Sequence, residues 1–322
     1  MKLISFIAGA LLAGTASLAG AQPSDYPNRP VRIVVPWPAG GVVDGVIRLL
    51  APKLSETLRQ NVVVDNRAGG AGLVGAQEAA RAAPDGYTLL MVFDSLAMAP
   101  AVYQKMPMDP FNDLAPISLL VRAPLVGVST ANFAPTNIRE LVAYAKANPN
   151  TVTFGSTGVG SSSHLTAELF AQAAGVSMVH VPYKGGAPAQ SDLMGGHLQL
   201  FWGSTAWTKP MVDSGKVRAL GQAGQVRSST YPDLPTLAEQ GYPDFRAYLW
   251  MGISAPKGTP DGIVARWNEA LRVASNDPNV RRQLVAQGFD VVMSTPAEFG
   301  RFMREEHDKW ARVIREAKIP LQ

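Results

Sequence analysis

PVRIVVPWPAGGVVDGVIRLL, residues 30–50, has a counterpart in NTVTFGSTGVGSSSHLTAELF, residues 150–170. Each stretch begins with a short run that favours a β-strand, continues through a loop of small residues, and ends in a helical pattern of apolar residues. The apolar stripe of the first helix consists of Val43, Val46, Ile47, Leu50, Leu54 and Leu58. We therefore predict a strand, a loop and a helix in each stretch.

The same alternation continues along the rest of the chain. The segments NVVVD (61–65) and TLLMVFD (88–94) have strand character, and AQEAARAA (76–83) between them has helix character. Past residue 130 the alternation restarts and again pairs strands with helices. Such alternation predicts an α/β fold with a parallel sheet and helices on both faces.

Two long β-rich runs, residues 117–130 and 245–256, interrupt this alternation. They predict two α/β lobes joined by a two-strand hinge, with a ligand cleft between the lobes. Lobe I is residues 22–122 plus 250–322, and lobe II is residues 123–249. Two helices are expected to finish the chain and to pack on lobe I. One starts at Thr259-Pro260-Asp261, and the other starts with a capping box at Thr295-Pro296 and Glu298.

The chain ends and the composition limit the class of protein. Residues 1–21 combine Lys2, an apolar stretch and an Ala19-Gly20-Ala21 site, which predicts a signal peptide cleaved after Ala21. No later segment approaches the roughly 20 apolar residues of a membrane span. Cysteine is absent, so we expect neither disulfides nor a lipid-anchored cysteine. The histidines are not at ligand spacing, so we expect no metal site.

The charge pattern argues against a nucleic-acid partner. The formal charge is +4, from 29 basic and 25 acidic residues. The basic residues are scattered, with no Lys/Arg run and no interleaved aromatic residues. We therefore expect no nucleic acid and, at most, a weak general attraction for anions.

The two loops are the first candidates for a binding site. A glycine-rich loop ahead of a helix exposes backbone N–H groups where the helix dipole favours an anion. Two such loops facing each other across a cleft can hold a dicarboxylate, or a carboxylate with a polar tail. The alternative is that both are merely tight strand-to-helix turns. The loop candidates are Trp37, Pro38, Ala39, Gly40 and Gly41, and Ser156, Thr157, Gly158, Gly160 and Ser161.

Other candidates lie at strand ends and helix starts. Asp44 heads the first helix, where capping is a stronger explanation than ligand contact. Asp94 and Ser95 end a strand, so we expect them near the crevice. His164 donates to a ligand or fixes the second loop, residues 156–161, which we call the serine loop. Trp202, Gly203 and Ser204 follow a strand and can supply a wall and a donor.

The segment GGAGLVG, Gly69–Gly75, has the spacing of a dinucleotide-binding fingerprint, and Asp94 follows nineteen residues beyond Gly75. Two observations argue against NAD. A dinucleotide loop normally leaves its strand directly, whereas residues 65–68 intervene here. An exported protein also meets no nicotinamide pool. We expect no cofactor.

Seven motifs in order give the chain a family resemblance. They are YPNRPVRIVVPWPAGGVVD, VVVDNRAGGAGLVG, PDGYTLL, FGSTGVGSSSHLTAELF, HVPYKGGAPAQSDLMGGHL, GKVRALG and LPTLAEQGYPDF. Together they cover nearly the whole mature chain. The sequence resembles the Bug/TctC family of extracytoplasmic solute-binding proteins of tripartite tricarboxylate transporters.

The resemblance implies a type II periplasmic-binding-protein fold whose two lobes close on a small organic acid: a di- or tricarboxylate, an aromatic acid or an amino acid. It implies that the loops matching Pro36–Gly41 and Ser156–Ser161 grip a carboxylate, and that Asp65–Gly75 is a structural turn. It also implies no cofactor, a periplasmic location and transient contact with membrane permease subunits. We expect a monomer and no catalysis.

The sequence departs from the family pattern in three places. Trp37 stands where phenylalanine is common, Val42-Val43 replaces Pro-Thr, and Trp202-Gly203-Ser204 replaces Phe-Asp-Asn. We hypothesise that Trp202 forms an aromatic plate in the cleft and that the pocket accepts a flatter or more apolar acid.

Two other functions stay open at this point. An exported serine hydrolase would use the Ser161–His164 region, but the chain has no G-x-S-x-G elbow. A sensor component would present its ligand-bound form to a signalling receptor instead of a permease.

Overall fold

The computed structural model describes residues 26–322. The predicted signal peptide, residues 1–21, lies outside the described residues. The strands are β1 (Val31–Val35), β2 (Val62–Asn66), β3 (Thr88–Phe93), β4 (Leu114–Thr130), β5 (Thr153–Ser156), β6 (Val179–Pro182), β7 (Leu200–Ser204), β8 (Val217–Gln222), β9 (Tyr248–Pro256) and β10 (Asp290–Val291). The α-helices are α1 (Val42–Leu58), α2 (Leu73–Ala80), α3 (Asp94–Val102), α4 (Ile138–Ala147), α5 (Ser162–Ala174), α6 (Gly186–Gly195), α7 (Thr205–Asp213), α8 (Asp261–Asn276), α9 (Pro278–Ala286) and α10 (Pro296–Glu316).

The strands form one curled sheet in the order β2-β1-β3-β9-β4-β7-β5-β6, and β8 and β10 also pair with β4. The predicted α/β class is confirmed, but the sheet is mixed rather than wholly parallel. Strands β1, β2 and β3 are parallel to one another, as are β5, β6 and β7. Strand β9 runs antiparallel to β3, and β4 runs antiparallel to β9 and β7.

Strand β4 connects the two halves of the sheet. Its first part, Leu114–Pro124, pairs with β9, and its last part, from Leu125, pairs with β7 and β8. The chain returns beside it, because Ala223 N–H donates to the Leu125 carbonyl and Ala247 N–H donates to the Ala223 carbonyl. The lobe boundaries at 22–122, 123–249 and 250–322 stay a prediction.

The apolar patterns read from the sequence match the packing. All six residues of the predicted α1 stripe are buried. They pack with alternate residues of β1, namely Val31, Ile33 and Val35. Val34 points to the opposite face and packs with α2, α3 and α10. Helices therefore cover both faces of the strands β1–β3, as predicted.

The C-terminal part differs from the prediction, because three helices are present there instead of two. Asp277 caps α9 and Pro278 begins it. The predicted capping box of Thr295 and Glu298 is present at α10. Helix α10 starts in the core beside β3 with Phe299, but its last turns pack Trp310 against residues of α5 and β7. It therefore contacts both halves of the molecule rather than one.

Over residues 26–322, none of the helices has the length and apolar character needed to cross a membrane.

Candidate functional site

The first loop is shaped by the carboxylate of Asp44. One of its oxygens, Oδ2, accepts hydrogen bonds from Gly40 N–H and Arg48 Nε, both at 2.8 Å, and Oδ1 accepts from Asn66 Nδ2 at 2.9 Å. Burial alone would raise the pKa of Asp44, but the bonds from Arg48, Gly40 and Asn66 outweigh it and lower the pKa. All these contacts lie within the loop and its support, which favours the capping interpretation of Asp44 over ligand contact.

The GGAGLVG segment supports the first loop from behind. Gly72 adopts a φ of 94° and ends a short 3-10 turn against Pro36 and Trp37. A Cβ on Gly75 would lie 2.9 Å from Pro36 Cβ, so only glycine lets the two segments approach this closely. Asn66 Nδ2 also donates to the Trp37 carbonyl at 3.0 Å. The glycines thus serve packing between a turn and a loop.

The second loop is fixed by its own serines and by His164. Ser161 Oγ caps α5 and donates to the Gly158 carbonyl at 2.7 Å. The Gly160 N–H donates to His164 Nδ1 at 3.1 Å. The His164 ring therefore fixes the loop by accepting from the Gly160 backbone. Among the described residues, the ring forms no hydrogen bond with Ser161, as a catalytic pair would. Ser156, at the start of the loop, is fully buried.

A histidine that the sequence reasoning missed lies beneath this loop. His180 Nε2 and Ser156 Oγ are 2.6 Å apart. The His180 ring stacks on His164 with centroids 3.8 Å apart, and on Phe154 at 5.0 Å. Burial, together with the neighbouring His164, lowers the pKa of His180 to about 4. The ring is thus neutral at pH 7 and serves as packing. Its spacing from His164 gave no sequence signal, because His164 lies in α5 and His180 in β6, and their rings meet only when the helix packs on the strand.

A cavity of about 380 Å³ opens between the two predicted lobes. Val42 belongs to lobe I, and the other lining residues belong to lobe II. The lining residues are Val42, Leu125, Thr157, Ser162, Ser163, Gly186, Phe201, Trp202, Gly203, Ser204, Ala206, Trp207 and Leu249. We call this space the anion cavity.

First-turn residues of four helices line the anion cavity. They are Val42 of α1, Ser162 and Ser163 of α5, Gly186 of α6, and Ala206 and Trp207 of α7. At α1, α6 and α7 the described residues include no side chain that caps the helix. Unpaired N–H groups at a helix start carry partial positive charge. The three uncapped starts of α1, α6 and α7 bring partial positive charge to the cavity without any Lys or Arg, whereas Ser161 caps the start of α5.

The cavity walls carry no formal charge of their own. None of the lining residues, all within the described range, is acidic or basic. Hydroxyl groups come from Thr157, Ser163 and Ser204, whereas Ser162 Oγ already donates its hydrogen to Asp94. The arrangement can therefore hold an anion through N–H and O–H donors, without a salt bridge.

The aromatic residue on the wall of this cavity is not the one that the sequence analysis proposed. Although Trp202 is close to the cavity, its side chain is fully buried and packs on Phe170 and Phe245 at 5.6 and 5.8 Å. The idea of a Trp202 plate in the cleft is wrong, because the indole belongs to the core. The half-buried aromatic residue on the cavity wall is Trp207, which the sequence reasoning missed. Gly203 and Ser204 do line the cavity.

A second cavity of about 370 Å³ lies on the other side of the serine loop. It brings together Trp37, Asp94, Ser95 and the loop residues Thr157–Ser162. The two loops therefore meet across the same crevice. Asp94 is fully buried and accepts a hydrogen bond from Ser162 Oγ at 2.8 Å. Burial raises the pKa of Asp94 to about 7.

Several sequence candidates lie outside both cavity linings. Pro38, Ala39, Gly40 and Gly41 are exposed and lead into α1. Ser156 and His164 lie behind the serine loop. Across the described residues, no group of three or more His, Asp or Glu side chains is arranged to hold a metal ion.

Comparisons with known proteins extend these observations. The family model described as "Tripartite tricarboxylate transporter family receptor" matches residues 46–319. A solved structure of the periplasmic binding protein BugD is 36% identical, covers 92% of this chain and 100% of its own, and has a TM-score of 0.76.

Two further solved structures contain ligands. Rpa4515 of R. palustris, solved with adipate, is 32% identical with a TM-score of 0.79, covering 92% of this chain and 100% of its own. MatC from Rhodopseudomonas palustris, solved with malate, is 31% identical with a TM-score of 0.75, covering 90% of this chain and 100% of its own. The predicted periplasmic-binding-protein fold is confirmed.

Proposed function

Because this chain belongs to the family of tripartite tricarboxylate transporter receptors, which are periplasmic solute-binding proteins and not enzymes, we propose that it captures a small organic carboxylate in the anion cavity. The single observation that carries this proposal is the convergence of four helix N-termini on one cavity without charged side chains.

The physical chemistry of the cavity matches a carboxylate. An anion at a helix N-terminus is stabilised by roughly 0.3–1 kcal/mol at exposed sites and more when partly buried. Several N–H and O–H donors can share the two oxygens of a carboxylate, as charge-assisted hydrogen bonds. Adipate and malate, which are bound by the two relatives above, both carry carboxylates.

A thermal-shift comparison of each acid with its primary amide tests the proposal. The protein is first stripped of bound ligand by unfolding and refolding. An acid present at a hundred times its Kd stabilises the native state by about 2.7 kcal/mol. We expect members of a panel that includes adipate, malate and benzoate to raise Tm, and we expect the matching amides to leave it unchanged. A panel in which the amides act as strongly as the acids, or in which no acid acts, contradicts carboxylate capture.

Delivery to membrane permease subunits is the second part of the proposal, and the family description supports it. Uptake of a labelled acid that passes the first test should fall in cells that lack this chain and should return when the gene is restored. Unchanged uptake combined with loss of an acid-induced transcriptional response would favour the sensor function instead.

The location is part of the same proposal. We propose that a signal peptide cleaved after Ala21 directs export and that the mature protein is a monomer in the periplasm. N-terminal sequencing of the exported protein should begin at Gln22, and light scattering with and without ligand should give the mass of one chain.

A further inference from the structure

The side chains around the anion cavity divide into two sets. Thr157, Ser163 and Ser204 offer hydroxyl groups close to the helix starts. The other walls are apolar, and they consist of Val42, Leu125, Phe201, Trp207 and Leu249. A second carboxylate or an ammonium group directed at the apolar walls would lie against apolar side chains without a counter-charge. Burying an unpaired charge is strongly unfavourable.

The indole of Trp207 forms a flat surface on the apolar side of the cavity. Its indole lies against Phe201 with ring centroids 4.5 Å apart and planes inclined by 34°. A Cβ on Gly203 would lie 2.5 Å from Trp207 Cε3 and 3.0 Å from Cζ3. The ring therefore rests directly on the backbone of β7, and any side chain at position 203 would displace it. Near the start of α6, a Cβ on Gly186 would lie 3.4 Å from Trp207 Nε1.

Gly203 thus leaves room for the indole, and Phe201 supports it. A tryptophan held in this way is a rigid surface, and aromatic ligands pair with such a surface in offset or edge-to-face arrangements worth about two- to twelvefold in affinity beyond simple burial.

Building on the proposed function, we propose that the anion cavity selects monocarboxylates carried on a flat aromatic ring, with Trp207 as the surface on which the ring packs. The carboxylate lies at the helix starts and the ring lies on the apolar side. Gly203 is a positioning residue, since the absence of a side chain there sets the place of the indole.

Calorimetry on ligand-stripped protein with three acids tests this inference. Benzoate has the carboxylate and the flat ring, cyclohexanecarboxylate keeps the carboxylate and a similar size without the flat ring, and adipate carries a second carboxylate. We expect benzoate to bind about fivefold more tightly than either of the others, within the range that an aromatic pair supplies. Tighter binding of adipate, or equal binding of the two cyclic acids, would overturn the aromatic inference while leaving carboxylate capture in place.

Two variants test whether the indole of Trp207 causes the preference for benzoate. Trp207→Leu keeps an apolar wall but removes the flat ring, so the advantage of benzoate over cyclohexanecarboxylate should fall to less than threefold. Gly203→Ala keeps the ring but displaces it, and it should reduce the advantage in the same direction even if the leucine variant folds poorly. Gly262→Ala is the matched control, because a Cβ there meets nothing within 4 Å and α8 lies away from the cavity.

The control should keep the wild-type preference in full. A preference for benzoate that survives both Trp207→Leu and Gly203→Ala would show that another wall makes the selection, and it would overturn the role of Trp207. Failure of all three acids to bind, with the wider acid panel also inactive, would instead contradict the proposed function on which this inference rests.

Discussion

Ser162 donates a 2.8 Å hydrogen bond to the buried carboxylate of Asp94, 68 residues earlier in the chain. The bond joins the start of α5 to the start of α3 and therefore connects the two predicted lobes. Ser162 also lines both cavities. Through Ser162, the protonation state of Asp94 therefore affects the start of α5, which lies between the two cavities.

Asp94 should make stability depend on pH. Its pKa is raised to about 7, chiefly by burial and in small part by Glu306, while Ser162, the Ser95 N–H and Lys309 oppose the rise. Between pH 4 and 7 the native state binds more protons at this site than the unfolded chain does. The contribution of Asp94 to the free energy of unfolding is therefore full below pH 4 and is lost as the pH rises through 7.

The Asp94→Asn variant isolates this effect, because asparagine can still accept the Ser162 bond but does not titrate. Urea denaturation at pH 5 and pH 8 should show a larger loss of stability in the wild type than in the variant. Parallel pH profiles of the two proteins would show that Asp94 does not titrate in this range.

His180 should act with the opposite sign. Its pKa is lowered to about 4 by burial and by His164, so the unfolded chain binds more protons at this site between pH 4 and 6.5. Its contribution to stability is present above pH 6.5 and is lost as the pH falls toward 4. His180→Phe keeps a ring that can stack on Phe154 and His164 but cannot be protonated.

The variant loses the contact with Ser156, so we expect it to be less stable at pH 7. Its further loss of stability between pH 6.5 and 4.5 should nevertheless be smaller than that of the wild type, measured by urea denaturation. If the free energy of unfolding falls with pH as steeply in the variant as in the wild type, His180 is not the group responsible for the loss of stability.

The sequence predicted most of the strands because their β-branched runs are short and are bounded by turns or loops. It missed helices α3 and α7, and each of these contains a proline, Pro100 and Pro210. Proline normally argues against a helix interior, so tertiary packing overrides the local signal here. Helix α9 was not predicted, although Asp277-Pro278 is a good helix start.

Of the two predicted loops, Trp37 and residues 157–161 line a cavity, whereas residues 38–41 do not. Residues 36–41 and 156–161 stand out because a glycine-rich loop before a helix is a local pattern. The choice between Trp202 and Trp207 could not be made in this way. Strand β7 is buried on both faces, with Phe201 in one core and Trp202 in the other. Alternation along such a strand does not show which face meets the cleft.

Because Trp202 is buried, we expect its substitution to change the stability of the fold and not the binding of ligand. Its ring packs on Phe170 and Phe245 and lies against Gly127, where a Cβ would come within 2.9 Å. Truncation to alanine should lower the free energy of unfolding by about 3–5 kcal/mol. Trp202→Phe should remain folded and should keep the wild-type ratio of benzoate to adipate affinity, measured by calorimetry. A changed ratio would return Trp202 to the binding site.

Gly40 tests whether the first loop binds the ligand or only connects β1 to α1. Its φ of 80° is one that a β-branched residue rarely adopts, although a Cβ there meets nothing within 4 Å. Gly40→Val should therefore distort the backbone that leads into α1 and loosen the bond from Gly40 N–H to Asp44. We expect the Kd for a bound carboxylate to rise more than tenfold, over 1.4 kcal/mol.

Gly215→Val is the matched control for this strain. Gly215 has a φ of 70°, meets nothing within 4 Å, and lies in the exposed turn between α7 and β8. Both variants should lose similar stability in denaturation, but only Gly40→Val should weaken ligand binding in calorimetry. Equal affinities in the two variants would mean that the first loop is scaffold, and carboxylate capture would then depend on the starts of α5, α6 and α7 alone.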